Sequence, residues 1–247
     1  MLAITSLMMI SAMLGVRGAI NNQRYNDSIN SFRDFLRDQY NGVINTDVAY
    51  RNTAVKNYCG DNIQRGRTNC LLLGKLLKFE AAKVSIYGVI GNHNPSSGIT
   101  INSDEEYFTS RISSLRVVGD LGSSGNNPNP EQEYRLDWDA TLKHPDGKSN
   151  LDKYVLLIRS PLSGSVRTYA MQQETAANRS GLDQVLADLV KEPKNLNHSP
   201  AFCVHPEGFA FTNRRAVVIK SNGSNASAVE IAPLDGKVNG VEAIRCK

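Results

Sequence analysis

The sequence predicts an α+β protein in which one long N-terminal helix packs on a β-rich head with antiparallel sheets. Residues 1–43 contain no proline, and apolar side chains keep a helical spacing as far as Asn41-Gly42, the first stop signal. Beyond that point, short apolar or alternating segments are separated by turns rich in glycine, asparagine and serine, which is typical of strands. We therefore divide the chain into a helix, residues 1–44, and a globular head, residues 45–247.

The predicted helix has two different halves. Met1–Val16 contains no charged residue, so the first half is apolar. In the second half, apolar residues follow one another at steps of four, three, four, four and three, which places them on one helical face. These residues are Tyr25, Ile29, Phe32, Leu36, Tyr40 and Val43. We expect this stripe to be the packing seam between the helix and the head.

The head is predicted to begin with two paired strands and a short helix. Leu71–Phe79 and Ala82–Ile90 are apolar runs separated by a charged break, which indicates a strand pair. Asp104–Arg111 has the composition of a short helix, with Ser103 as its cap. Leu115–Val118 is predicted as a further short strand.

The second part of the head contains the most regular alternation in the chain. Tyr134–Leu142 alternates apolar and polar residues with a period of two, and the turn sequence His-Pro-Asp-Gly separates it from Lys153–Arg159. We expect these two segments to form a hairpin. A short helix is predicted over Leu182–Val190, with Ser180 as its cap and Glu192-Pro193 as its end. Three strands should follow it, at Ala201–Val204, Ala216–Lys220 and Val229–Ala232.

The apolar first half of the helix is compatible with three interpretations. A secretory signal peptide would begin with basic residues, but no basic residue precedes the apolar run, and a helical pattern follows it. A simple transmembrane anchor needs about 20 apolar residues, and Met1–Val16 is shorter than that. The third interpretation is the N-terminal helix of a fibre-forming subunit.

This third interpretation rests on a resemblance. The segments MLAITSLMMISAML and NNQRYNDSINSFRDFLRDQY resemble the N-terminal helix of type IV pilins and pseudopilins. Phe202–Val238 resembles the end of minor pseudopilins of the H type, where a Pro-x-Gly turn precedes a strand, a variable loop and a last strand. In this register the family's charged leader, cleavage junction and glutamate have no counterpart in the sequence, and the family's helix break falls near Arg17–Ile20.

The resemblance implies a non-catalytic structural subunit of a type IV pilus-like or type II secretion-like fibre. The first half of the helix would hold the protein in the inner membrane before assembly. It would then join other pilin subunits, of the same or a different kind, in a fibre at the cell surface. The alternative is a monomeric, membrane-anchored surface domain. The coding sequence upstream of Met1 would separate the two, since a pilin requires a leader with a Gly-Phe-type junction.

Four cysteines point to disulfide bonds. None belongs to a CxxC motif or lies at metal-ligand spacing from a histidine. An even count beside an N-terminal membrane signal indicates an oxidising compartment, with buried free thiols as the alternative. Of the three connectivities that four cysteines allow, we favour the pairing that is local in sequence. This pairing joins Cys59 to Cys70 and Cys203 to Cys246.

Sequence motifs for catalysis are absent. GxSxG, GxxxxGK[ST], GxGxxG and HExxH do not occur in the chain. The acidic run Asp104-Glu105-Glu106 could bind a cation, but acidic residues in the first turn of a helix also complement the helix dipole, which is the interpretation we favour. We expect no enzyme activity, no metal, no cofactor and no small-molecule substrate.

Basic residues support one further hypothesis, DNA binding. The chain has 28 Lys+Arg against 24 Asp+Glu, and its net charge of +4 is small for a dedicated nucleic-acid binder. Some minor pilins of this general type bind DNA through cationic residues near their C-terminal strands. Here Arg214, Arg215 and Lys220 occupy such positions. A minor pilin that binds DNA through these residues is a second alternative, and a solvated basic surface is the simpler explanation.

Overall fold

The computed structural model of the chain shows an N-terminal helix followed by antiparallel sheets, which confirms the predicted α+β class. The residues it describes are 2–45, 70–92, 103–119, 128–145, 151, 153–171, 181–206, 214–233, 237–238, 241–242, 244 and 246.

Helix α1 spans Leu2–Ile44, and its 43 residues correspond to a length of about 65 Å. It continues two residues past the Asn41-Gly42 pair, and the Asn45 N–H still donates to the Asn41 carbonyl at 2.9 Å. The break that the resemblance places near Arg17–Ile20 is absent. Gly18 lies in this stretch, and a single glycine costs a helix only about 1 kcal/mol, which neighbouring turns tolerate.

The described strands all pair in the antiparallel sense. In chain order they are β1 Cys70–Phe79, β2 Lys83–Asn92, β3 Leu115–Val118, β4 Gln132–Arg135, β5 Thr141–Lys143, β6 Lys153–Arg159, β7 Val166–Ala170, β8 Ala201–His205, β9 Ala216–Ile219, β10 Val229–Ile231, β11 Lys237–Val238 and β12 Val241–Glu242.

The first sheet has the strand order β3–β2–β1–β6–β7, and β4 pairs with the other end of β2. The predicted pair of strands over Leu71–Phe79 and Ala82–Ile90 is confirmed as β1 and β2. The second sheet has the order β10–β9–β8–β5 and contains the three strands predicted near the C-terminus.

The predicted hairpin between Tyr134–Leu142 and Lys153–Arg159 is wrong. The first segment is two short strands, because β4 ends at Arg135, a turn of 3-10 helix follows, and β5 begins at Thr141. Strand β4 belongs to the first sheet and β5 to the second, so the chain changes sheets between them. Strand β6 pairs with β1 and β7 instead. An alternating pattern does not reveal that its two ends pair with different partners.

Three short helices cover the face of the first sheet that points away from α1. They are α2 Asp104–Ser110, α3 Leu182–Lys191 and α4 Pro193–Leu196. Helix α2 begins where predicted, and the Ser103 hydroxyl accepts from the Glu106 N–H at 3.1 Å as its N-cap. Helix α3 lies where it was predicted, and its apolar face is buried through Val185, Leu186 and Leu189. Its N-cap position is Gly181, and the predicted cap Ser180 is outside the described residues.

The first sheet is therefore buried on both faces, because its side chains alternate between two cores. On β6, Val155 and Leu157 point into a core shared with α1 and the second sheet, whereas Leu156 and Ile158 point into a core under the short helices. A third, smaller cluster lies on the outer face of the second sheet.

Candidate functional site

Helix α1 contacts the head along its second half. All six residues of the predicted seam are buried, none of them more than 6% exposed. Phe32 lies at the centre, with ring centroids 6.4 Å from Phe79, 6.2 Å from Phe202 and 6.2 Å from Tyr134. Phe35 stacks on Tyr134 at 4.1 Å. The seam thus joins the helix to both sheets through one aromatic cluster.

Polar contacts fix the C-terminal end of the seam. The Tyr40 hydroxyl is 2.6 Å from Thr168 Oγ1, which donates to the Gly223 carbonyl at 2.9 Å. The carbonyl of Ile44 accepts from Arg159 Nη1 at 2.8 Å, which satisfies a carbonyl at the end of the helix. Burial raises the pKa of Tyr40 well above its ordinary value, so this hydroxyl stays neutral and remains a hydrogen-bond partner.

The seam begins at Tyr25. Its hydroxyl accepts a hydrogen bond from the Arg215 N–H, immediately before strand β9. Burial raises the pKa of Tyr25, against the opposing effects of that hydrogen bond and of the nearby Arg215 and Arg214 charges. Tyr25 is therefore the point at which the helix meets the second sheet.

Before Tyr25 the helix leaves the head. Residues 16–24 are exposed apart from the half-buried Asn21, and the large apolar side chains of Val16 and Ile20 are 57% and 42% exposed. The backbone remains helical throughout this segment and back to Leu2. A continuous helix thus projects from the head.

Trp138 lies beside the point where the helix leaves the head. The Arg24 guanidinium lies over its ring, 4.6 Å from the centroid, and the ring is still 54% exposed. Trp138 has a φ of 59° and Asp139 a φ of 53°, which is the left-handed region. This conformation costs a non-glycine residue about 1–2 kcal/mol. The period-two alternation over Tyr134–Leu142 predicted Trp138 on the buried face of a strand, whereas the structure places it in an exposed turn.

Further basic residues lie near Tyr25 and His205, at the end of the second sheet. Arg214 and Arg215 precede β9, and Lys143 ends β5. Among the described residues, none of these three side chains forms an ion pair. Burial, together with the nearby charges of Arg214 and Lys143, lowers the pKa of His205 to about 4, so this imidazole is neutral at pH 7.

The three residues proposed for DNA contact do not form one patch. Lys220 follows β9, whereas Arg214 and Arg215 precede it, so the two groups are roughly 16 Å apart along the strand. Lys220 Nζ also forms an ion pair with Glu230 at 2.8 Å. The two arginines lie instead near Tyr25, beside Arg24 at the base of the projecting helix.

One of the two predicted disulfides lies within the described residues. Cys203 on β8 is bonded to Cys246, with Cα atoms 5.7 Å apart, and this links the C-terminus to the outer face of the second sheet. Closing a loop of 43 residues stabilises a fold by about 4 kcal/mol in the chain-entropy treatment. Cys59 is outside the described residues, so the pairing of Cys59 with Cys70 stays a prediction.

The acidic run at the start of α2 has a structural role. Asp104 accepts hydrogen bonds from the hydroxyls of Ser160 at 2.6 Å and Ser163 at 2.7 Å, and Arg167 Nε lies 3.5 Å away. Although burial raises the pKa of Asp104, these bonds and the Arg167 charge outweigh it and lower the pKa overall. Across the described ranges, no group of three or more His, Cys, Asp or Glu side chains could hold a metal ion.

The remaining observations concern the hydropathy of the helices and the similarity of the chain to known proteins. Within the described part of the chain, no helix combines the length and the hydropathy that crossing a membrane requires. No family model matches the chain, and searches of curated proteins and of solved structures find no match.

Proposed function

We propose that the protein is a non-catalytic structural subunit that assembles through helix α1 into a type IV pilus-like or type II secretion-like surface fibre. The observation that supports this proposal best is the asymmetry of α1. One continuous helix is fixed to the head from Tyr25 to Val43, and it projects as an exposed helix before Tyr25.

A projecting helix suits assembly for a physical reason. All of its interior backbone groups are hydrogen-bonded within the helix, so it can be transferred from lipid into a bundle of like helices without exposing unpaired groups. In the proposed mechanism the uncharged Met1–Val16 segment resides in the inner membrane first. It then enters the fibre core, and the head remains outside. The Cys203–Cys246 disulfide favours an exported location.

Cross-linking of copies in the source cells tests this proposal. We expect Ile20→Cys to give a ladder of cross-linked oligomers with a bifunctional maleimide, because Ile20 would face neighbouring subunits in the fibre core. Asp38→Cys is the matched control, since Asp38 is exposed on the packed half of the same helix. Monomer alone from Ile20→Cys would contradict assembly through α1 and favour the alternative, a monomeric membrane-anchored surface domain.

The coding sequence upstream of Met1 offers an independent test. An in-frame leader with a Gly-Phe-type junction and a following glutamate would support the fibre subunit. A basic segment that extends the apolar run would support the simple anchor.

DNA uptake is the second alternative. Because Lys220 is paired with Glu230, Arg214 and Arg215 are the two residues left that could contact DNA. A salt titration of duplex binding should give a slope near −2 if both contact phosphate, since each contact contributes about −0.9. If the unaltered chain and the Arg214→Ala/Arg215→Ala variant bind the duplex equally, these arginines do not bind DNA.

A further inference from the structure

We propose that the head rests on an anionic membrane surface while helix α1 is inserted, through a collar formed by Arg24, Trp138, Arg214 and Arg215. This inference rests on the proposed function, because it requires the first half of α1 to lie in a membrane. It adds a second contact between the protein and the bilayer.

The first argument is position. Arg24 stacks on Trp138, and Arg24 immediately precedes Tyr25, the first buried residue of the seam. Arg215 is bonded to Tyr25 through its N–H, and Arg214 lies close enough to influence the pKa of the same hydroxyl. These groups therefore surround the helix on the side of the head from which it projects. A membrane that contains the projecting segment would lie opposite them.

The second argument is distance. Residues 17–24 separate the uncharged segment from the seam, and eight helical residues span about 12 Å. The polar headgroup layer on one side of a bilayer is about 5–8 Å thick, from the difference between the full bilayer and its hydrocarbon core. With Val16 at the hydrocarbon boundary, the helix would cross the headgroup layer before it reaches Tyr25. The collar would then lie at the outer surface of the phosphates.

The third argument is charge. The collar contributes three cationic side chains, and among the described residues neither Arg214 nor Arg215 is paired with a carboxylate. Asp137 and Asp139, on either side of Trp138, are exposed and reduce this excess without removing it. A net positive surface beside an inserted helix is attracted to anionic lipid headgroups.

The fourth argument is the indole itself. Trp138 is more than half exposed although its backbone is held in the left-handed region, so the fold maintains an unfavourable conformation with the ring at the surface. Tryptophan is enriched at the membrane interface, because the ring is apolar and its N–H is polar. Nucleic acid offers the same anionic charge, but it explains neither the orientation of the helix nor its length before the seam. We therefore choose the lipid surface.

Trp138 is also the natural probe, since it is the only tryptophan in the chain. The full chain is reconstituted in vesicles of phosphatidylcholine, or of an equimolar mixture of phosphatidylcholine and phosphatidylglycerol. In the mixed vesicles at low salt we expect the emission to move to shorter wavelength and to be quenched by lipids brominated near the headgroup. High salt and pure phosphatidylcholine should reverse both effects while the protein still floats with the vesicles.

The variants Arg214→Ala/Arg215→Ala and Lys191→Ala/Lys194→Ala remove equal charge from opposite sides of the head. The Arg214→Ala/Arg215→Ala variant should lower the ratio of docked to undocked protein by about 5- to 30-fold. This range is the affinity that one or two basic residues contribute at an anionic membrane surface. The second should leave the ratio unchanged, because those lysines belong to α3 and α4 on the far face. Equal urea midpoints show that both variants remain folded.

Three outcomes would overturn the inference, and they are distinguishable. If the chain floats with both kinds of vesicle but Trp138 is never quenched, the head does not dock, and the proposed insertion of α1 stands. If the chain floats with neither, insertion fails and docking fails with it. If vesicles have no effect but a DNA duplex binds through Arg214 and Arg215, the surface recognises nucleic acid instead.

Discussion

The two parts of helix α1 that flank Tyr25 share one backbone and differ in what they contact. From Tyr25 to Val43 an apolar residue recurs at every turn, and each one is buried against the head. From Val16 to Arg24 apolar residues are fewer, and the segment is exposed, with Asn21 alone half-buried. The spacing of apolar side chains thus decides where the helix packs, whereas helix formation itself continues across the boundary.

The largest effect is expected from a charge in the centre of the packed part. Phe32→Asp should reduce the free energy of unfolding by about 4 kcal/mol or more, because it removes a fully buried ring and places a carboxylate between Phe79 and Phe202. Urea unfolding measures it. Asn30→Asp on the exposed face of the same helix should change little. If the Phe32→Asp protein unfolds at an unchanged urea midpoint, Phe32 does not pack between the helix and the head.

Acid should destabilise the fold through His205, the last residue of strand β8. His205 has a pKa of about 4 in the folded protein against an ordinary value of 6.5, so the unfolded chain binds a proton first. The stability that His205 contributes is complete above pH 6.5 and is lost as the pH falls from 6.5 to about 4. The loss is up to about 3 kcal/mol, at 1.36 kcal/mol for each pH unit.

The control for this effect is His205→Gln, which cannot be protonated in that range. Its unfolding free energy should fall less steeply between pH 6.5 and about 4 than that of the unaltered chain. His198, whose pKa is also lowered to about 4, would supply the remaining slope in the same direction. Identical pH profiles for the two proteins would show that His205 is not held neutral by its surroundings.

A smaller loss is expected from the Tyr40 hydroxyl near the C-terminal end of the seam. Tyr40→Phe should cost about 1–2 kcal/mol, because it removes the bond to Thr168 and keeps the ring in place. Thr168→Val removes the other partner, and the double variant should lose less than the sum of the two. Additive losses in chemical unfolding would indicate that the two hydroxyls act independently.

The smallest effect is expected in the projecting part. Val16→Asn and Ile20→Asn should change the free energy of unfolding by no more than about 0.5 kcal/mol, because both side chains are largely exposed. The same substitutions should weaken cross-linking between copies if the proposed fibre forms. A loss above about 1 kcal/mol would show that this segment packs on the head after all.

The helix and most strands could be predicted from the sequence because they depend on patterns of neighbouring residues. The stripe from Tyr25 to Val43, the cap at Ser103 and the apolar runs of β1 and β2 each depend on residues a few positions apart. Strand pairing depends on distant partners. The period-two alternation over Tyr134–Leu142 therefore predicted one strand where the chain passes from one sheet to the other.

The site was harder to predict for the same reason. Arg214, Arg215 and Lys220 are close in sequence, but strand β9 separates them, and Glu230 neutralises the last. Arg24 and Trp138 are 114 positions apart, and only the folded chain brings them together. Nothing local in the sequence links a helix residue to a turn between two sheets.

The alignment of the seam with the helix axis has a mechanical consequence. A pull along α1 would load the seam in shear, so that the aromatic cluster at Phe32 and the hydrogen bonds of Tyr25 and Tyr40 resist together. A pull across the axis would instead peel the helix away one contact at a time. The protein should therefore withstand much more force along its helix than across it, which is the direction of tension in the proposed fibre.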